Sequence, residues 1–145
     1  MTDAGALAAA AAALDGPPRL HHVGVVQPDF EAAEAFMALT GLKEAYRGYV
    51  EPFACWCLFC CADGPTAIEL VVPNGGQLAK FNRGAGGLHH YAVEVADLDV
   101  VRDRYAARGA SLLMPEHVKG AGPFLCNFLS PISTRGVQIE FVQPI

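Results

Sequence analysis

The segment Leu20-His21-His22-Val23-Gly24-Val25 returns further along the chain as Leu88-His89-His90-Tyr91-Ala92-Val93. The two copies start 68 residues apart (88 − 20). Self-similarity at a fixed offset indicates two copies of one structural unit. The sequence therefore predicts two tandem modules, each of which opens with a short strand that carries a pair of histidines.

A helix is predicted after the first strand of each copy. Apolar residues recur there at positions i, i+3 and i+7, which is the stripe of an amphipathic helix. Those positions are Phe30, Ala33 and Met37 in the first copy and Leu98, Val101 and Tyr105 in the second. Asp29 and Asp97 are suitable N-caps, and Gly41 and Gly109 are suitable C-terminal stops.

The two copies also end alike, because residues 68–73 resemble residues 139–144. Between the helix and this last strand, apolar stretches are broken by turn signals such as Asp63-Gly64-Pro65. The stretches are 46–50 and 53–61 in the first copy and 111–114 and 124–129 in the second. Each copy is therefore predicted to be βαβββ, and the chain an α+β protein in which two such modules form a curved mixed β-sheet around a metal site.

The predicted organisation places an Ala-rich N-terminal extension at 1–18 and one domain at 19–145. Module one spans 19–73 and module two spans 88–145, with a Gly-rich linker at 74–87 in which Lys80 and Phe81 could form a short turn of helix. The extension has no Lys or Arg before Arg19, so it lacks the cationic start of a signal peptide. It is predicted to be a helix or a frayed end.

The composition limits the classes of function. The chain has 145 residues, of which 52% are hydrophobic and 17% are charged, and this is typical of one globular domain. A net charge of −5 disfavours binding to nucleic acid. No run approaches the ~18 apolar residues of a membrane span. The sequence therefore predicts a cytoplasmic protein whose partner is a small molecule, with no nucleic acid and no membrane.

The five cysteines are predicted to be reduced thiols. Their number is odd, and no secretory signal is predicted at the start of the sequence. Cys55, Cys57, Cys60 and Cys61 lie in an apolar run that is typical of a strand. Because alternate residues of a strand face opposite sides, their four sulfurs cannot converge on one ion. They are interpreted as small buried hydrophobic residues.

The repeat supplies a candidate metal site. Each copy has one histidine on its first strand and one glutamate on its last strand, so pseudo-symmetry can bring His22, Glu69, His90 and Glu140 to one centre. A lone histidine or strand glutamate is more often structural or solvated than a metal ligand. The duplication favours the ligand role, because the same residue types recur at matched positions. Two imidazoles and two carboxylates suit a divalent Zn, Co, Ni, Mn or Fe ion.

The remaining histidines are given supporting or solvated roles. His21 and His89 each precede a predicted ligand, so they are expected to point to the other face of their strands and to serve a structural or supporting role. His117 lies in a predicted loop and is expected to be solvated.

Several of these segments resemble the vicinal oxygen chelate superfamily, which includes glyoxalase I, methylmalonyl-CoA epimerase and extradiol dioxygenases. The matching segments are 22–26, Ile68-Glu69-Leu70, Lys80-Phe81, Gly87-Leu88-His89-His90, 128–131 and Ser133-Thr134-Arg135-Gly136-Val137-Gln138-Ile139-Glu140. The chain is most similar to the methylmalonyl-CoA epimerase-like branch. The resemblance extends over about residues 20–143.

The resemblance implies a metal held by the same four residues and a substrate whose two adjacent oxygens chelate it. It implies an isomerase, an epimerase or racemase, that removes a proton alpha to a carbonyl through a metal-stabilised enolate. An acyl-CoA such as methylmalonyl-CoA is among the implied substrates, and a homodimer is the implied assembly. Glu140 could act as one acid-base group if its metal bond loosens, and Glu51 is the best candidate for the second, with Glu44 as a weaker alternative.

Three other functions stay open at this point. A glyoxalase-type lactoylglutathione lyase would use the same four ligands, and a ring-cleaving dioxygenase would need only two histidines and one carboxylate. A non-enzymatic protein that binds a drug or metabolite would not need the metal set. The epimerase pattern usually has a lysine where Ile132 stands, so a coenzyme A carrier would have to be held by other cations, such as Lys119 or Arg135.

Overall fold

The computed structural model describes residues 13–145, and most of the predicted N-terminal extension lies outside the described residues. In chain order the strands are β1 (Arg19–Val26), β2 (Glu44–Val50), β3 (Cys55–Cys60), β4 (Ala67–Pro73), β5 (Gly87–Glu94), β6 (Val118–Lys119), β7 (Phe124–Leu129) and β8 (Ile139–Pro144). The helices are α1 (Phe30–Thr40) and α2 (Leu98–Ala106). The predicted α+β fold with two βαβββ modules is confirmed.

All eight strands form one mixed sheet in the order β2-β3-β4-β1-β5-β8-β7-β6. Each module repeats one pattern, because β1 pairs in parallel with β4 and β5 pairs in parallel with β8. The modules join through the antiparallel pair β1 and β5, which are the two strands that carry the paired histidines. The duplicated segments are therefore neighbours at the centre of the sheet.

The sheet curls so that its outer strand β2 approaches the turn between β6 and β7. A Cβ added to Gly48 would lie 3.0 Å from the carbonyl oxygen of Ala121, and one added to Gly122 would lie 2.5 Å from the hydroxyl of Tyr46. Only residues without a side chain allow backbones this close. The sheet is thus nearly closed, with a concave side that both modules share.

The helix ends follow the predicted capping and stop residues at all four places. The carboxylates of Asp29 and Asp97 accept hydrogen bonds from backbone N–H groups of the first turns of α1 and α2. Gly41 has a φ of 75° and closes α1 in the left-handed conformation. Gly109 also has a positive φ, 77°, and the N–H groups of Gly109 and Ala110 bond to the carbonyls of Ala106 and Tyr105, so the glycine stops the chain just after α2 as predicted.

The prediction of a strand at 111–114 is wrong. This segment makes one isolated bridge, between Leu112 and Leu129, and the short β6 takes the place of the predicted strand. The cause is Asn127, which is fully buried and whose side chain hydrogen-bonds both the N–H and the carbonyl of Met114. Backbone hydrogen bonds still join Ser111 and Leu113 to the end of β7. At Met114 the backbone groups are satisfied by a side chain instead, so the ladder does not extend there, and Pro115 has no N–H to continue it.

The helices cover the convex side of the sheet, one helix to each module. In module one, Ala33 of α1 packs in a buried cluster with Leu58 and Leu70. In module two, Leu98 of α2 packs in a separate cluster with Phe141. A third apolar cluster contains residues of both modules and lies on the concave side. The fold therefore buries its outer face under the helices and leaves the concave face for a site.

Two connecting segments complete the described chain. The linker contains a 3₁₀ segment, Leu78–Gly84, whose backbone kinks at Phe81 and the two residues after it. At the N-terminal side, Ala13 is buried and the Asp15 carboxylate pairs with Arg104 at 2.7 Å. Within residues 13–145, no helix has the length and apolar character needed to cross a lipid bilayer.

Candidate metal site and its cavity

The four predicted ligands lie on the four central strands, β4, β1, β5 and β8. Two rows of paired residues cross these strands. In one row, Gly24 of β1 pairs with both Glu69 of β4 and His90 of β5. In the next row, Ala92 of β5 pairs with both His22 of β1 and Glu140 of β8. Each row thus carries one histidine and one glutamate around a small residue, and the pseudo-symmetry brings all four functional side chains together.

The ligand atoms converge closely. The Nε2 atoms of His22 and His90 are 3.2 Å apart, and Oε1 of Glu140 is 3.0 Å from the first and 3.6 Å from the second. Glu69 places Oε1 3.5 Å from Nε2 of His90 and Oε2 3.7 Å from Nε2 of His22. One ligand atom each of His22, His90 and Glu140 forms a group within 4.8 Å, and Glu69 adjoins this group through its two oxygens.

These distances fit a divalent cation. Ligand atoms about 2.1 Å from an ion in a tetrahedral arrangement are about 3.4 Å from one another, and the observed separations are 3.0–3.7 Å. All four side chains are buried. Oε1 of Glu140 has no hydrogen-bond donor of suitable geometry among the described residues. A buried carboxylate oxygen without a donor, beside two imidazole nitrogens, is what a cation would satisfy.

The two carboxylates of the cluster have pKa values that are shifted in opposite directions. Burial raises the pKa of Glu69 above its ordinary value. Burial also opposes the charge of Glu140, but the adjacent His22 and His90 rings hold the pKa of Glu140 below its ordinary value. Burial likewise opposes a charge on His22, yet Glu69 and Glu140 raise the pKa of His22. A buried cluster in which some pKa values are raised and others are lowered is typical of a functional site.

The expectation that His21 and His89 face away from the site is wrong. The register of β1 against β5 shifts between Leu20 and His22, and it shifts again between His90 and Leu88. Each shift is a β-bulge that inserts one extra residue, His21 in β1 and His89 in β5. The bulges turn these rings toward the ligands, and Nδ1 of each lies 2.8 Å from Nδ1 of the histidine that follows it.

Both neighbouring rings are partly buried beside aromatic side chains, His21 at Phe124 and His89 at Phe81. Burial, followed by the effect of His90, lowers the pKa of His89 to about 4. Burial and then His22 also lower the pKa of His21. Both imidazoles are therefore neutral near pH 7, and each has one nitrogen that can accept a hydrogen bond.

Two small residues that the sequence reasoning left without a role make room for the ligands. A Cβ added to Gly24 would lie 2.1 Å from Cε1 of His90, so the ring of this ligand occupies the space of the missing side chain. Ala92 is fully buried between His22 and Glu140 in the equivalent row. The available signal was a small residue two positions after each ligand histidine in the duplicated segment.

The cluster lies at a cavity of about 650 Å³ on the concave side of the sheet. Its walls are largely apolar, and Glu69, His90 and Glu140 are among the residues that line it. The aromatic rings of Phe59 and Phe128 stand edge-on to His22 and His90, at 5.1 Å and 5.2 Å between ring centroids. A cavity of this size suits a small-molecule ligand, and its apolar walls strengthen electrostatic interactions inside it.

The fold and this arrangement agree with comparisons with known proteins. A model of the Glyoxalase/Bleomycin resistance protein/Dioxygenase superfamily matches residues 21–128. The chain belongs to this superfamily. The resemblance found in the sequence is therefore confirmed.

The superfamily relatives include two curated epimerases. The ethylmalonyl-CoA/methylmalonyl-CoA epimerase of Cereibacter sphaeroides is 35% identical over 130 residues, which cover 86% of this chain and 97% of the relative. The mitochondrial methylmalonyl-CoA epimerase of Bos taurus is 31% identical, covering 86% of this chain and 74% of the relative. The crystal structure of methylmalonyl-CoA epimerase from Mycobacterium tuberculosis has a TM-score of 0.78 at 26% identity, covering 87% of each chain.

Glu51, which is predicted to be the second acid-base group, does not lie beside the four ligand residues. It opens the 3₁₀ segment Glu51–Phe53 and is exposed, whereas Val50 and Pro52 on either side of it line the cavity. The weaker alternative, Glu44, forms an ion pair with Arg47 and does not line the cavity. The role of Glu51 stays a prediction.

The other polar residues singled out in the sequence lie at or beyond the cavity wall. Lys119 donates hydrogen bonds to the carbonyls of Gly120 and Gly122, next to the wall, and Arg135 is exposed.

The expectation that His117 is merely solvated is wrong. Its Nε2 is 2.7 Å from Oδ1 of Asp99, and its Nδ1 is 3.2 Å from the buried Asn127.

Cysteines form part of the cavity floor, a feature that the sequence reasoning did not anticipate. Cys55 and Cys57 share the concave side of β3, with their sulfur atoms 3.7 Å apart, whereas Cys60 packs in the cluster under α1. This is the alternation expected of a strand. Cys126 of β7 also lines the cavity.

We expect the five thiols to differ sharply in reactivity. Burial raises the pKa of Cys60 to about 11, and it also raises the pKa of Cys126. The partly exposed Cys61 should therefore react with iodoacetamide first at pH 7.5, and the four buried thiols should react only after unfolding. Mass spectrometry of native and guanidinium-treated samples would count the labels. Rapid native labelling at β3 would show that the cavity admits the reagent and that the thiols are not inert.

Proposed function

We propose that this protein is a divalent-metal-dependent epimerase that moves a proton alpha to the carbonyl of an acyl thioester. The observation that carries the proposal is the convergence of two imidazole nitrogens and two carboxylates, 3.0–3.7 Å apart, beside an apolar cavity. The two curated relatives, both epimerases at 31–35% identity, support the same reaction. The donor set suits Zn, Co, Ni, Mn or Fe.

The proposed substrate is a 2-alkylmalonyl-CoA, with methylmalonyl-CoA and ethylmalonyl-CoA as the first candidates. The names of the curated relatives support this class. Such thioesters carry two carbonyl groups around the reacting carbon, and they offer two oxygens on one side. The volume of the cavity, about 650 Å³, is sufficient for the acyl group and the adjoining part of its carrier.

The proposed roles of the four ligands follow from their positions. A bound divalent ion supplies a Lewis acid to the carbonyl next to the acidic carbon. His22, His90 and Glu69 hold their ligand atoms toward one centre from three strands. Glu140 contributes a carboxylate with one oxygen free of hydrogen-bond donors, which would ligate the ion. If this bond to the ion loosened, the carboxylate could take a proton from one face of the substrate and return it.

Inversion requires a second group on the opposite face, and we assign this role to Glu51. The support is its position, because the residues on both sides of it already line the cavity. Its exposed carboxylate must then turn inward when the substrate fills the cavity. Apo geometry does not exclude such a movement, since catalytic contacts often form only in the complex.

The carrier portion of the substrate is proposed to leave the cavity past the linker. Lys80 of the 3₁₀ segment lines the cavity and is exposed, so its ammonium group can meet a phosphate. Lys119 already donates to two carbonyls near the opposite wall. Ile132, at the position where the epimerase pattern has a lysine, is 92% exposed. Lys80 is therefore the first cation to test for binding of the carrier.

Deuterium incorporation tests the proposed reaction and its two-base arrangement. Each epimer of methylmalonyl-CoA would be incubated separately with metal-loaded protein in deuterated water. Wild-type protein should exchange the C2 proton and interconvert both epimers. A Glu51→Gln variant should still exchange the proton of the epimer that faces Glu140, but it should lose inversion by about 10²–10⁴-fold. Proton NMR and chiral separation provide the measurements.

The control is Glu44→Gln, which removes a half-buried carboxylate that is paired with Arg47 outside the cavity. Inversion by Glu51→Gln at the wild-type rate would contradict its assignment. If metal-loaded wild-type protein exchanged no C2 proton, the epimerase proposal would fail. The hemithioacetal of glutathione, assayed in parallel, would then show whether the same site acts as a lyase.

The assembly, the compartment and the identity of the metal stay predictions. Elemental analysis of purified protein would identify the ion. Light scattering during size-exclusion chromatography would test the predicted homodimer, and localisation of a tagged chain would test the predicted cytoplasmic compartment.

A further inference from the structure

Two β-bulges at the centre of the sheet place a second pair of histidines behind the first. Each bulge inserts one residue immediately before a ligand histidine, His21 in β1 and His89 in β5. A regular strand would turn these side chains to the convex face. The bulges keep them on the ligand side, and the two insertions are equivalent by the repeat. Both modules therefore use the same device.

The two nitrogens of each ligand histidine have different neighbours. Nε2 of His22 faces Nε2 of His90 at 3.2 Å within the ligand cluster. Nδ1 of His22 lies 2.8 Å from Nδ1 of His21, and Nδ1 of His90 lies 2.8 Å from Nδ1 of His89. One side of each ligand ring is therefore available to an ion, and the other side is occupied by a second imidazole.

Hydrogen-bond chemistry then fixes the tautomers. A contact of 2.8 Å between two ring nitrogens needs one hydrogen between them. If Nε2 of a ligand histidine is to offer its lone pair to a metal, its hydrogen must be on Nδ1. The ligand ring is then the donor, and His21 or His89 must accept through an unprotonated Nδ1. Each supporting histidine consequently carries its own hydrogen on Nε2.

The surroundings hold the supporting rings in this orientation. The ring of His21 meets Phe124 edge-on at 5.1 Å, and the ring of His89 meets Phe81 edge-on at 4.7 Å. Gln138 donates a hydrogen bond of 2.9 Å to the backbone carbonyl of His89, which fixes the bulge in β5. Side chains held in this way keep an acceptor in place without a large entropic cost when a metal binds.

We propose that His21 and His89 are positioning residues that accept the Nδ1–H of His22 and His90 and thereby set the metal affinity of the site. This inference rests on the proposed metal-dependent function, because it assigns a role toward the ion. It distinguishes the two pairs of histidines by function: one pair ligates, and the other orients. Outer partners of this kind commonly change metal affinity by 10–100-fold.

The experiment compares His21→Phe and His89→Phe with His21→Asn and His89→Asn. Phenylalanine keeps a ring but removes the acceptor, whereas the amide oxygen of asparagine can lie near the lost Nδ1. The dissociation constant for Zn²⁺ would be measured by competition with a chromophoric chelator. We expect each Phe variant to bind Zn²⁺ about 10–100-fold more weakly than wild-type protein, and each Asn variant to recover most of that loss.

A second measurement does not depend on the variants. In ¹⁵N-histidine-labelled wild-type protein loaded with Zn²⁺, long-range NMR correlations should show His22 and His90 protonated at Nδ1. The same spectrum should show His21 and His89 protonated at Nε2.

The matched control for the Zn²⁺ affinities of the variants is His117→Phe, which removes a histidine bound to Asp99 outside the cavity and should leave the Zn²⁺ affinity unchanged.

The outcomes separate this inference from the function on which it rests. If wild-type protein binds Zn²⁺ but the Phe variants bind it equally well, or the tautomers are reversed, the positioning role is overturned and the metal site stands. If wild-type protein binds no divalent ion, the proposed function fails, and the positioning role fails with it. Weaker binding in both Phe variants, recovery in the Asn variants and the expected tautomers would establish the role.

Discussion

Glu140→Gln is expected to lower the rate of epimerisation by about 10³-fold or more, because Glu140 is assigned both to the metal and to the moving proton. Its Oε1 makes the shortest ligand-to-ligand contact with a histidine, 3.0 Å to His22, and the residue is 4% exposed. Glutamine keeps the shape but removes the charge and the ability to take a proton. Turnover of a 2-alkylmalonyl-CoA and metal content would be measured on the same preparation.

The two measurements separate the two roles of Glu140. A variant that keeps its metal but loses exchange of the alpha proton would show that the acid-base role dominates. A variant that loses both would show that the ligand role dominates. The matched control is Glu94→Gln, an exposed glutamate four residues after His90 on β5, which should keep the wild-type rate and metal content. Near wild-type turnover by Glu140→Gln would contradict both roles.

Gly24→Ala is expected to disrupt the metal site with a single methyl group. The new Cβ would lie 2.1 Å from Cε1 and 2.4 Å from Nδ1 of His90, far inside van der Waals contact. Because β1 and β5 are paired on both sides, the strands cannot separate to relieve the clash, and the His90 ring must move. A ligand displaced by about 1 Å can cost 10²-fold in activity, and we expect metal affinity to fall by at least about as much.

The control for this change is another glycine-to-alanine substitution. Gly64 lies in the exposed turn between β3 and β4, where an added Cβ would meet the carbonyl of Cys61 at 3.3 Å. Gly64→Ala should leave metal affinity unchanged. Overpacking at Gly24 should also lower the free energy of unfolding by about 1–3 kcal/mol, which denaturation followed by circular dichroism would measure. Wild-type metal affinity in Gly24→Ala would show that the His90 ring is not confined as the structure has it.

Much of the fold could be predicted because the repeat is a local pattern in the sequence. The duplicated segment carried the first strand of each module, and the matched Asp29 and Asp97 marked the starts of both helices, as the structure confirms. The repeat also predicted that His22, Glu69, His90 and Glu140 share one centre. Pseudo-symmetry made this possible, since β1 and β5 pair across the axis that relates the modules and β4 and β8 pair with them in equivalent ways.

The misplaced features depend on partners that are distant in the chain. The segment 111–114 has the apolar character of a strand, but its ladder with β7 stops where the side chain of Asn127 satisfies the backbone of Met114. The side of the sheet on which His21 lies follows from a register shift against β5, which simple alternation along β1 cannot reveal. A resemblance likewise does not determine where a turn directs a side chain, and the side chain of Glu51 at the start of its 3₁₀ segment is exposed.

The duplicated βαβββ pattern and the four residues that its symmetry brings to one centre can be read from residue types and their order along the chain. That Gly24 must lack a side chain, and that His21 and His89 lie behind the ligands, becomes visible only once the strands are paired. Both facts arise from the pairing of β1 with β5. That pairing sets which residues oppose one another and where one extra residue is accommodated.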